Sequence, residues 1–193
     1  MQFLYPEGAT PLDADYSAQL IPSHITTQSQ LNEWEAMNIQ EARNWTFFKR
    51  RTKHILDIGF IKKLHTKMFN KTWMWAGQWR TCQTNIGIEP YRIVSELGQL
   101  LGDIDYYRNN GTYSMDEIAI RLHHRLVWIH PFPNGNGRHA RFMADIFLKD
   151  QGLPFFDWGK PLGNSRRQYI EALQAADRHD YEPLFRFVRA PQV

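Results

Sequence analysis

Apolar residues recur at helical spacing along most of this 193-residue chain, and the pattern gives way most clearly in two places. One is an aromatic, irregular stretch beginning Trp73-Met-Trp-Ala-Gly-Gln-Trp-Arg80; the other is a short loop carrying Pro131 and Pro133. Between and around them the chain reads as helices. Thr27 followed three residues later by Gln30 is a capping-box pattern that opens a helix running to about Lys49. A second helix spans about Asp57 to Phe69, with Ile58, Ile61, Leu64, His65 and Met68 on one stripe. Further helices are predicted over about 95–109, 114–129, 137–151, 164–176 and 181–189. The one β signal is 81–94, two short extended runs about Gly87–Pro90 that read as a hairpin. Residues 1–26, with Pro6, Gly8, Pro11 and Pro22, read as an irregular arm before a single domain over 27–193. The predicted class is all-α with one β-hairpin. Its seven tryptophans are read as packing residues of the core and hairpin.

At 42% hydrophobic and 22% charged, a chain of this length builds one core and sits far from disordered compositions. Cys82 stands alone, which excludes an intramolecular disulfide and a four-cysteine zinc site. No run approaches the roughly 18 apolar residues that a spanning helix needs. The first ten residues lack a basic region leading into an apolar one. A soluble, cytoplasmic protein is expected, with no membrane partner. The net charge of +3 rests on 23 basic and 20 acidic residues. The densest basic group, Arg43, Lys49, Arg50, Arg51 and Lys53, reads as a solvated helix face, so direct nucleic-acid binding is not expected.

The chemistry concentrates in His130-Pro-Phe-Pro-Asn-Gly-Asn-Gly-Arg-His-Ala-Arg141. Gly135 and Gly137 let backbone N–H groups turn inward where a helix begins, an arrangement suited to phosphates. Arg138 and Arg141, three apart, share a face one turn into that helix, and each can grip a phosphate bidentately. His130 stands at the other lip as a base near neutral pH. Together they point to phosphoryl or nucleotidyl transfer. Three rivals fail. Gly135-x-Gly137-x-x-Ala140 fits the dinucleotide fingerprint as a bare pattern but follows a predicted helix, not a strand. No GxxxxGK[ST] loop occurs. His123, His124 and His130 lack zinc-ligand spacing, and His139 points to a different helix face from the arginines, so it receives no role.

The stretch resembles the Fic (Fido) family motif HxFx[D/E]GNGRxxR, matched at His130, Phe132, Gly135, Asn136, Gly137, Arg138 and Arg141. Trp75-Ala-Gly-Gln-Trp-Arg80 looks like the family's lead into its hairpin flap, and the segments about Arg167–Leu173 and Asp180–Phe187 look like its closing helices. The likeness covers most of 27–190 and is greatest to the bacterial subfamily called "mobile mystery protein B". It implies a Fic-like helical bundle and a protein adenylyltransferase that moves AMP from ATP to a Ser, Thr or Tyr hydroxyl of a target protein. His130 would take the hydroxyl proton. Phe132 would anchor the loop, and Gly135, Asn136 and Gly137 would hold the α- and β-phosphates. Arg138 would hold the β-phosphate side and Arg141 the γ-phosphate. The flap would dock an extended target segment by strand addition, with Ile86 clamping its side chain.

One motif position departs. Asn134 stands where the family has the acidic residue that holds Mg²⁺ against the phosphates. Mg²⁺ (or Mn²⁺) affinity should therefore be reduced, because an amide oxygen brings no charge. A second family feature is an inhibitory glutamate in [ST]xxxE[GN], for which Ser29-Gln-Leu-Asn-Glu33 has the spacing, although Trp34 follows. On that reading 27–49 is an inhibitory helix and Glu33 pairs with Arg141. The alternative to an enzyme is a nucleotide-binding regulatory module with little turnover, working through a protein partner such as a DNA-binding protein.

Overall fold

The computed structural model describes residues 14–49, 54–159 and 163–189. Residues 1–13 of the expected arm and Arg50, Arg51 and Lys53 of the basic group lie outside these. After a single turn, α1 (Ala14–Ser17), comes α2 (Gln28–Asn44), whose capping box forms as predicted: Gln30 N–H donates to Thr27 Oγ1 at 3.3 Å, and Thr27 N–H to Gln30 Oε1 at 3.1 Å. The predicted helix to Lys49 continues beyond α2 as one wide π-helical segment, Trp45–Lys49. Asp57 caps α3 (Ile58–Phe69) by accepting from Phe60 N–H at 2.9 Å.

The second half is helical throughout. It comprises α4 (Ile93–Asn110), α5 (Met115–Ile129), α6 (Asn136–Asp150), α7 (Gly163–Ala176) and α8 (Glu182–Arg189). These boundaries fall within two residues of the sequence reading. The α5 and α6 helices pack most extensively and form the centre of the molecule, with α4 against α5, the α2–α3 pair on one side and the α7–α8 pair on the other. Leu122, Leu126 and Ile129 of α5 and Met143, Phe147 and Ile146 of α6 are fully or almost fully buried. Each such side chain contributes about 1.5–3 kcal/mol by leaving water. The loop between these two helices thus hangs from the most extensively packed pair of the fold.

The predicted hairpin is not one. Residues 81–89 form a turn-rich loop, and among the described residues the sole bridge is antiparallel, between Leu20 and Trp73. Side chains take the acceptors that a ladder needs. Arg80 donates to the carbonyls of Cys82 and Ile88, Gln83 Nε2 to that of Gly87 at 3.0 Å, and Thr84 Oγ1 to that of Ile86 at 2.5 Å. The described part of the arm, by contrast, is held by backbone contacts: Trp75 Nε1 donates to Tyr16 O at 3.1 Å, Met74 N to Gln19 O at 3.1 Å, and Ile21 N to Thr72 O at 2.9 Å. It braces the 73–80 segment from outside.

Candidate active site

His130 ends α5 in the left-handed conformation, φ 54° and ψ 59°, which few residues other than glycine adopt. Its ring stays close to the backbone: Nδ1 lies 3.2 Å from Val127 O. A carbonyl accepts only, so Nδ1 carries the proton and Nε2 is the basic nitrogen. The residue is 6% exposed, and burial lowers its pKa to about 4, with the Val127 carbonyl pulling upward and the Arg80 charge downward. At neutral pH it is an uncharged imidazole.

The loop from His130 to α6 is held by its own residues. Asn136 folds back, accepting from Phe132 N–H at 2.9 Å through Oδ1 and donating to Phe132 O at 2.8 Å through Nδ2. Its side chain is therefore committed to the loop, and only its backbone N–H faces a ligand role. Gly135 precedes α6 with φ 76°, and a Cβ there would lie 2.6 Å from the Phe69 ring. No side chain caps that helix start, so the first amides of α6 and its positive dipole end are left uncapped beside the His130–Gly135 loop. Arg138 and Arg141 project from the first turns of the same helix, as the spacing predicted.

Phe132 is fully buried and stacks on His65, ring centroids 3.7 Å apart. The sequence pattern places His65 on the apolar stripe of α3, and the structure gives it a further role. Gly77 N–H donates to its Nδ1 at 3.0 Å, so Nε2 holds the proton and donates to Asn134 O at 3.1 Å. Burial holds its pKa well below the ordinary value, keeping it neutral. His65 thus ties the 73–80 segment to the catalytic-motif loop, and a histidine on the apolar stripe of α3 was the available signal. His139 is likewise a pin, its Nε2–H donating to Ile61 O at 3.1 Å. His123 and His124 bond Tyr169 Oη and Asp177 Oδ1, each at 2.9 Å, which fits core and surface partners and no metal.

The glutamate expectation needs correcting. Glu33 is exposed and accepts from Ser29 Oγ at 3.3 Å, so it does not reach Arg141. The buried acid is Glu35, 6% exposed, which pairs with Arg138 at 2.6 Å and accepts from Trp73 Nε1 at 2.8 Å. Helical geometry explains the difference. Leu31, Glu35, Asn38 and Ala42 form the inward stripe of α2, and Glu33 lies about 200° around the helix from Glu35. Arg141 instead lies over the Tyr169 ring, 5.5 Å from its centroid. The 27–49 helix does face the site, through another residue.

Asn134 Oδ1 accepts Gly135 N–H at 2.6 Å. Its second lone pair could meet a cation, but among the described residues no group of three or more His, Cys, Asp and Glu side chains is placed to hold a metal. Among the described residues Asn134 contributes a neutral amide oxygen at this position, which fits a divalent cation carried mainly by a nucleotide's phosphates. Ile86 is half-buried in the flap.

Residues 55–148 match the model of the Fic/DOC family. The chain carries a Fic domain. The protein adenylyltransferase fic-1 of Caenorhabditis briggsae is 31% identical over 142 residues, which make up 70% of this chain and 27% of that protein. The chain spans about a quarter of the length of the curated relatives that match it first. Among solved structures, the N-terminal Fic domain of a VirB-translocated Bep effector from Bartonella quintana superposes with a TM-score of 0.67 at 24% identity, covering 94% of each chain. The same domain with bound ADP gives 0.64 at 22% identity, covering 88% of this chain and 89% of that one. These likenesses establish the helical fold around the His130–Arg141 loop.

Proposed function

We propose that this Fic domain is a protein adenylyltransferase held back by Glu35. The observation that carries the reading is the state of His130: a neutral imidazole with Nδ1 protonated and Nε2 basic, at the lip of an arginine-lined helix start. A binding module has no use for a base in that position. Relatives named as adenylyltransferases and a related domain holding ADP support the nucleotide as ATP.

In the reaction, Nε2 of His130 takes the proton of a target Ser, Thr or Tyr hydroxyl. The hydroxyl oxygen bonds to the α-phosphorus, the bond from that phosphorus to the α,β-bridging oxygen breaks, and pyrophosphate leaves with the bridging electrons. The backbone N–H groups of Asn136 and Gly137 at the start of α6 bind the phosphates, Gly135 shapes the turn that presents them, and Arg138 and Arg141 meet the charge gathering on the leaving group. Asn134 would be the residue to meet a Mg²⁺ or Mn²⁺ ion carried by the nucleotide, which would supply neutralisation of phosphate charge. The target's extended segment docks along 81–89, where Ile86 clamps it. Docking there displaces the side chains that hold the flap's carbonyls, those of Arg80, Gln83 and Thr84.

Glu35 occupies Arg138 and so competes with the phosphates for it. Regulation of this kind suits a domain that acts with a partner, as the likeness to the "mobile mystery protein B" subfamily implies for a DNA-binding protein. The test separates base from binder. His130→Ala should abolish labelling by α-labelled ATP yet preserve ATP affinity, whereas Arg138→Ala should weaken both. Labelling that survives His130→Ala overturns the assignment.

A further inference from the structure

Arg80 closes the 73–80 segment and is 2% exposed. A guanidinium out of water is costly unless its donors are met, usually by a carboxylate. Here every side-chain acceptor is a backbone carbonyl. On one side Nε donates to His130 O at 2.6 Å and one terminal nitrogen to Ile129 O at 3.4 Å, while the backbone N–H of Arg80 reaches Pro131 O at 3.0 Å. On the other, the two terminal nitrogens donate to Cys82 O, at 2.9 Å, and to Ile88 O. One cation therefore grips two consecutive carbonyls at the base and both ends of the flap, while the backbone N–H of the same residue takes the third carbonyl. Burial lowers its pKa, but arginine keeps its charge.

The contact is close from the flap side as well. Gly87 sits at φ 111°, and a Cβ there would lie 2.6 Å from His130 Cβ and 2.8 Å from an Arg80 terminal nitrogen. Flap tip, guanidinium and base are in mutual contact. A residue that only stabilised the fold could lie anywhere. This one holds the carbonyl of the single left-handed residue whose conformation aims the imidazole.

We infer that Arg80 is a positioning residue that couples the flap to His130, so that movement of the flap by a docked target segment is transmitted to the orientation of the base. The inference rests on the assignment of His130 as base and of 81–89 as target flap. In the folded state the guanidinium keeps His130 left-handed only while the Cys82 and Ile88 carbonyls close around the same group. Loss of either set loosens the other.

Arg80→Met and Gly87→Ala test this from opposite sides, in the full chain with Glu35→Ala as background. Three quantities are read: ADP affinity by calorimetry, the pH–rate profile of AMP transfer, and the NMR signal of the His130 ring with exchange of the 83–88 amides. Both variants should keep ADP affinity within about threefold and slow transfer at saturating nucleotide at least about tenfold. Arg80→Met should also move the acid limb of the profile upward, since a cation beside the base has gone. Arg80→Lys keeps the charge but not the fork, so the rate falls while the limb stays. A parallel loss of ADP affinity and rate, or an unchanged rate, overturns the coupling. If the background transfers no AMP, the functional assignment fails. The coupling is then decided by whether the His130 ring signal and the flap amides change together in Gly87→Ala, and unchanged signals overturn it.

Discussion

Replacing Glu35 should tighten nucleotide binding by an amount that the structure bounds. Its carboxylate holds Arg138 at 2.6 Å, and the arginine side chain is 34% exposed, so the pair is partly screened. A charge-assisted hydrogen bond contributes about 1.5–3 kcal/mol, and the exposure places this one at the lower end, about 1.5–2 kcal/mol. A nucleotide that engages Arg138 must give up that bond. Glu35→Ala should therefore lower the ADP dissociation constant about 10- to 30-fold. Glu35→Gln retains a neutral acceptor worth about half as much, so its gain should be about 4-fold. The two differ in stability also. Alanine removes the acceptor of both Arg138 and the Trp73 indole N–H, the latter bond worth about 1–3 kcal/mol, whereas glutamine, whose single amide oxygen serves Arg138, loses only the indole bond. Calorimetric titration with ADP and urea unfolding measure both quantities. Glu33→Ala serves as control and should change neither. Equal affinity in wild type, Glu35→Ala and Glu35→Gln would refute competition for Arg138, and a gain from Glu33→Ala would return the role to the exposed residue.

Other consequences follow from the buried histidines and the loop. His130 and His139 both have pKa values lowered to about 4, so the unfolded chain binds more protons than the folded one between there and the ordinary value near 6.5. Stability should accordingly fall on acidification through that window, by up to about 1.4 kcal/mol per pH unit for each histidine. Asp145, raised to about 6 by burial, works in the opposite direction between its ordinary value of 3.8 and 6. Urea midpoints from pH 7 to pH 4 read the sum, and His139→Gln should flatten the slope. The transfer rate should keep its acid limb near pH 4; a limb near 6.5 contradicts a desolvated base. His65→Phe preserves the stack on Phe132 but removes the hydrogen bonds to Gly77 N–H and Asn134 O, so it should destabilise by about 2–4 kcal/mol and slow transfer. Asn134→Asp adds the missing charge and should lower the Mg²⁺ concentration for half-maximal transfer several-fold, read by titrating metal at fixed ATP.

The parts of this molecule governed by local chemistry were readable in the chain. Thr27 and Gln30 announced a capping box that forms, and Ser114 caps α5 by accepting from Glu117 N–H at 3.2 Å. The Pro131–Pro133 break, the glycines and the two arginines placed a phosphate-type helix start where α6 begins. The errors arose where long-range partners decide. A spacing pattern chose Glu33, while the inward stripe of α2 through Leu31, Asn38 and Ala42 selects Glu35. The flap's extended residues suited a hairpin, but Arg80, Gln83 and Thr84 claim its carbonyls, and nothing local announces that Arg80 is fixed there by the carbonyls of His130 and Ile129, 50 and 49 residues on. Nor does any local signal mark the widening of the helix at Trp45, or His65 bridging two loops that lie far apart along the chain.

The most direct measurement is intact-mass analysis after incubating the protein with α-labelled ATP and Mg²⁺ or Mn²⁺, as wild type, as Glu35→Ala and as Glu35→Ala with His130→Ala. The account predicts an AMP adduct that is faint in wild type, strong when Glu35 is removed and absent once His130 is gone. An adduct that persists without His130, or no adduct in the Glu35→Ala protein while it binds ATP tightly, would contradict it.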